Sequence, residues 1–237
     1  GYNVLSANTT ADNNTAIGYN AMAVNTTGDS NTAVGSYALD ANTTAAYNCA
    51  FGNSALTANT TGSHNNGFGK DALAANTTGG KNTAVGNYAG DANTTGDNNT
   101  ALGYNALSAN TTGTGNVAVG MYALDAASTV NYNTAIGYAA LTANTTATGG
   151  VAIGYNALAA NTTENNNTAV GYDALAANTG TSNVAVGKGA LKTNTTAGYG
   201  VAIGREALSL NTTGTQNTAV GDVALYTNTT GSYNVAV

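Results

Sequence analysis

The sequence predicts a parallel β-solenoid of fourteen seventeen-residue coils, β-roll-like, with one short strand to a coil. Three observations carry this. A unit reading Asn-Thr-Ala-Val-Gly-Tyr-Asn-Ala-Leu-x-Ala-Asn-Thr-Thr-Gly-x-x recurs along all 237 residues. Its fifth position is glycine in every copy, from Gly1, Gly18 and Gly35 to Gly221. The residues before that glycine are apolar or β-branched, the composition of a strand.

Units begin at Asn14, Asn31, Asn48, Asn65, Asn82, Asn99, Asn116, Asn133, Gly150, Asn167, Asn183, Gly200 and Asn217. Asn234–Val237 and the opening thirteen residues complete a fourteenth, so residues 1–237 read as one repeat domain without capping repeats. Only the unit Asn167–Ser182 is a residue short, at Asn178-Thr179-Gly180.

Positions 2 to 5 form the strand. Position 4 is always large and apolar (Ile17, Val34, Phe51, Phe68, Leu102), and position 3 is Ala except at Gly67. Neither face varies as a wet face would, so both are expected to be covered. Position 4 is then the main apolar contact, with Leu at position 9 behind it. On that reading Ile153→Ala costs about 2–4 kcal/mol through the cavity it leaves. The glycine at position 5 implies positive φ or a backbone approached too closely for a Cβ. Positions 8, 9 and 11 hold Ala, Leu and mostly Ala while 10 varies, a spacing that suits one helical or 3₁₀-like turn. An α/β solenoid with a one-turn helix in each coil is therefore the alternative. Asn-Thr-Thr-Gly closes the coil as a polar loop. Coils stacked at the strand spacing of about 4.8 Å give a rod of roughly 65–70 Å.

Composition narrows the function. Charged residues are 7% of the chain and net charge is −6, with five basic residues scattered, which argues against nucleic acid. No apolar run approaches the roughly 20 residues of a membrane span. Cys49 is the single cysteine, and at position 2 it reads as a small buried hydrophobe. His64 is the single histidine, in a loop, and Lys70, Lys81, Lys188, Lys192 and Arg205 form no evident groove. No catalytic, cofactor or metal-ligating set is expected. Asp12 and Asp29 share a column, but no calcium-binding repeat accompanies them.

The strand stretches Asn14-Thr15-Ala16-Ile17-Gly18, Asn116-Val117-Ala118-Val119-Gly120 and Gly150-Val151-Ala152-Ile153-Gly154 resemble the repeat of trimeric autotransporter adhesin heads. Phage and bacterial surface-fibre proteins carry similar repeats. The resemblance implies a parallel β-roll, an extracellular or virion-surface setting, adhesion and a homotrimer.

Three column features bear on partners. Asn-Thr-Thr makes twelve glycosylation sequons, at Asn8, Asn25, Asn42, Asn59, Asn76, Asn93, Asn110, Asn144, Asn161, Asn194, Asn211 and Asn228. The same triplets suit Asn and Thr ladders between coils. Tyr138, Tyr155 and Tyr172, like Tyr2 and Tyr19, fall in one column and can stack, as a glycan platform or as plain packing. The ends Gly1, Tyr2, Asn234, Val235, Ala236 and Val237 meet in repeat phase, so that Val237 of one copy would precede Gly1 of the next. The expected function is thus a structural or adhesive extracellular fibre subunit that joins its own copies head to tail. The alternative is a solenoid that binds polysaccharide or ice.

Overall fold

The computed structural model describes residues Gly1–Val237. They form two compact units, Gly1–Asn116 and Val117–Val237. The first carries β1 (Thr15–Ile17), β2 (Thr32–Val34), β3 (Cys49–Phe51), β4 (Asn66–Phe68), β5 (Thr83–Val85) and β6 (Thr100–Leu102). The second carries β7 (Val117–Val119), β8 (Thr134–Ile136), β9 (Val151–Ile153), β10 (Thr168–Val170), β11 (Val184–Val186), β12 (Val201–Ile203), β13 (Thr218–Val220) and β14 (Val235–Ala236). Within each unit consecutive strands pair in parallel and in register, as Ala33 with Ala50 or Ala152 with Ala169. Each unit is a parallel β-solenoid, and every repeat position becomes a column. The missing residue of Asn167–Ser182 leaves the register intact, with Thr168 still opposite Val184.

No coil contains a helix. Two successive four-residue turns replace the expected one, closed by Ala38 N–H donating to the Gly35 carbonyl and Asn42 N–H to that of Leu39. Positions 7 and 9 have positive φ, for instance Tyr37 at 59° and Leu39 at 52°. A right-handed helix cannot include such residues. Left-handed φ at a leucine costs roughly 1–2 kcal/mol. The offset is a continued ladder: Tyr37 N–H donates to Tyr19 of the preceding coil, and Leu39 N–H to Ala55 of the following one. Coils are therefore hydrogen-bonded through the turns as well as through the strands.

Only one face of the strand is covered, where both are expected to be, and position 4 is not the main apolar contact of the core. Ala at position 3 points inward and is fully buried, as at Ala33, Ala50 and Ala152. Position 4 points outward, and Ile17, Phe51 and Ile153 are 61%, 39% and 36% exposed. The interior is too narrow for two large rows. Leu at position 9 fills it from the opposite wall, fully buried at Leu39, Leu56 and Leu158. The strand thus has one covered and one open face, and the loss expected at Ile153 belongs to Leu158.

Glycine at position 5 meets both expectations. Gly154 has φ +136°, and a Cβ there would lie 2.5 Å from the Gly171 carbonyl oxygen in the next coil.

Candidate functional site

Polar side chains line much of the interior. Asn at position 1 closes the coil: Asn31 Nδ2 donates to the Ala45 carbonyl at 2.8 Å, while its Oδ1 accepts from Asn48 N–H at 2.9 Å. Asn at position 12 forms a second column. Asn76 Nδ2 donates to the Gly79 carbonyl at 2.9 Å and to Asn59 Oδ1 at 2.8 Å, and Asn93 donates to Asn76 Oδ1 in turn. Buried amides are tolerated because each identical neighbour supplies the missing partner.

This second column contains the sequons. Asn25, Asn42, Asn59, Asn76, Asn93, Asn110, Asn144, Asn161, Asn194 and Asn211 are all buried, and the Nδ2 of each is already donating. A glycan on any of the ten would have to displace the coil from around it. Asn8 is exposed and Asn228 half-buried, yet Asn8 donates to Ala11 and Asn228 to Gly231. The ladder reading of Asn-Thr-Thr is the one the fold carries. Thr joins it, with Thr26 Oγ1 donating to the Thr43 carbonyl at 3.1 Å.

Outside, three features stand apart. The first is the open strand face, where position 2 is Thr or Val except at Cys49 and Asn66, and position 4 is Val, Ile, Leu or Phe. No strand contains an acidic or basic residue. Phe51 and Phe68 stack there with centroids 5.3 Å apart. Cys49 sits on this face half-buried, less enclosed than expected, and burial pushes its thiol pKa up.

The second is the tyrosine track at position 6. In the second unit Tyr138 stacks on Tyr155 at 5.3 Å and Tyr155 on Tyr172 at 5.0 Å, with ring planes nearly parallel; all three are exposed. In the first unit Tyr2 stacks on Tyr19 at 5.6 Å.

The third is a groove between the two turns, lined by positions 6, 7, 10 and 11. In the first unit it holds a depression of about 380 Å³ beside Tyr88, Tyr104 and Asn105. In the second it deepens into a cleft of about 290 Å³ lined by Tyr172, Asp173, Lys188, Lys192, Glu206 and Tyr226. Lys192 Nζ lies 2.9 Å from Asp173, whose carboxylate holds the ammonium pKa above its ordinary value. Lysines 188 and 192, read in sequence as scattered, are thus brought to one cleft. Reading the sequence by columns rather than along the chain would have found it.

No group of three His, Cys, Asp or Glu residues is placed to hold a metal ion. Asp29 instead caps the Asp12 N–H at 2.8 Å, and His64 stacks on Tyr47 at 5.0 Å. The end residues continue the columns: Tyr2 through its stack, Asn234 by donating its N–H to Asn217 Oδ1 in the position-1 ladder, and Val235 and Ala236 by pairing with Thr218 and Ala219. Gly1 meets the next glycine of its column, with Gly18 oxygen 2.2 Å from where its Cβ would stand, and Val237 is fully exposed. Comparison with known protein families, curated proteins and solved structures finds no match to this chain.

Proposed function

We propose that the chain is a structural module of an extracellular or surface fibre, in which copies associate laterally through their open strand faces. The column at position 4 carries this reading. It is apolar in every coil although the chain's own core does not use it. Eight coils of about 4.8 Å and roughly 10 Å of width give the second unit a stripe of about 400 Å². A patch of that size is about the largest that a typical soluble monomer exposes and is often functional. The strands also lack charge, the compositional signature of an interface core. The resemblance to adhesin-head repeats supports the same reading and suggests a homotrimer as the closed form. Adhesion fits the exposed tyrosines, and a small, uncharged, hydrogen-bonded repeat fits a mechanical element.

Sedimentation equilibrium tests it. The wild-type chain should show a mass above 23.2 kDa that rises with concentration. The double variant Ile136→Glu, Ile153→Glu should remain a monomer with unchanged circular dichroism, because charged residues directly facing an apolar partner are costly to bury. A wild-type chain that stays monomeric throughout, or a double variant that associates as strongly, contradicts the proposal.

A further inference from the structure

The cleft of the second unit is where the repeat departs furthest from itself. Position 7 carries a side chain in every coil except at Gly189, which lies between Asp173 and Glu206. A Cβ there would stand 3.4 Å from Glu206 Cγ, so the missing side chain is what opens the cleft. Position 10 is small or acidic in every other coil but becomes Lys192 and Tyr226 here. Three of the chain's five basic residues, Lys188, Lys192 and Arg205, fall within these coils.

The charges are not equivalent. Lys192 is paired with Asp173, and Arg205 with Asp222 at 2.8 Å and Glu206 at 3.7 Å. The Lys188 carbonyl accepts from Glu206 N–H, but its ammonium makes no hydrogen bond or ion pair, although it lines the same cleft. Tyr172 and Tyr226 line the cleft with their rings half exposed. Tyr172 is also the last ring of the stacked track from Tyr138 and Tyr155. A row of exposed aromatic rings leading to an unpaired ammonium matches a polymer of flat, weakly apolar rings bearing carboxylates. The rings pack on C–H faces, the ammonium donates to the sugar carboxylate, and the Asp173 and Glu206 carboxylates accept hydrogen bonds from sugar hydroxyls.

We propose that this cleft binds an acidic saccharide of the hexuronate class, with Lys188 pairing a sugar carboxylate and Tyr172 and Tyr226 flanking the ring. The site lies on the turns and not on the strand face, so it is independent of lateral association.

Isothermal titration of the full chain with a hexuronate oligosaccharide, and with a neutral hexose oligosaccharide of equal length, tests it. The hexuronate should bind at least about tenfold more tightly than the neutral sugar, the value of one hydrogen bond to a charged group. Lys188→Gln should remove that preference, and Tyr226→Ala should weaken both sugars. Lys81→Gln, in a loop of the first unit, should change nothing. Circular dichroism of each variant checks the fold. No binding of the hexuronate, equal affinity for the two sugars, or a preference that survives Lys188→Gln would each overturn the proposal.

Discussion

Within the coil of residues 65–81, Asn76 is fully buried and Phe68 is 37% exposed. The usual placement of amide and aromatic ring is exchanged. Two constraints produce the exchange. A seventeen-residue coil leaves room inside for about one leucine and two alanines beside its two asparagines. Its turns and loop also leave carbonyls, such as that of Gly79, facing inward and in need of donors. Asparagine meets that need, and exact repetition satisfies its remaining groups from the coils above and below. The large apolar side chains are left for the outside, where the chain itself has no use for them. Where the inner ladder lapses, at Ala127, the interior turns apolar instead, with Ala127 and Val130 both fully buried. Inside and outside thus differ in what fills them: hydrogen-bond closure within, and an apolar column that the chain itself leaves open without.

The contrast depends on coils close enough to share their ladders, and glycine at position 5 sets that approach. Gly154→Val should break it most severely, because the obstacle is the Gly171 backbone and φ is positive. A loss of about 4 kcal/mol or more is expected in urea melts. A stable variant would mean that the coils can move apart without harm. Next, Asn76→Ala removes two donated hydrogen bonds and leaves the Asn59 oxygen and Asn93 amide short of partners. It should cost about 2–4 kcal/mol, more than an ordinary polar surface substitution. A cost below about 0.5 kcal/mol would reduce the ladder to decoration.

Much of this was legible in the sequence because repetition turns one chain into many samples of each position. The seventeen-residue period gave the parallel register, the unvarying Gly18-to-Gly221 column gave the close approach, and the Tyr138, Tyr155 and Tyr172 column gave the stack. Invariance could not orient the strand, since positions 3 and 4 are equally regular in the sequence although Ala152 is fully buried and Ile153 is 36% exposed. Size was the better guide, because only methyl groups fit where Ala152 points. The turns misled for a related reason. Apolar residues at positions 8, 9 and 11 suit a helix, and nothing in the identity of Leu39 betrays its positive φ. The cleft was hidden by linear reading: Lys188 and Glu206 are eighteen residues apart in the chain but line one opening.

Leu158 and Ile153 offer the most direct test of the exchange between inside and outside. They share one coil and have side chains of identical composition, but Leu158 is fully buried and Ile153 is 36% exposed. Urea melts of Leu158→Ala and Ile153→Ala, at a dilution where the chain is monomeric, measure what each contributes to the coil itself. The account predicts about 3 kcal/mol lost for Leu158→Ala and about 1 kcal/mol or less for Ile153→Ala. Equal losses, or a larger one at Ile153, would contradict it by placing the position-4 column in the core.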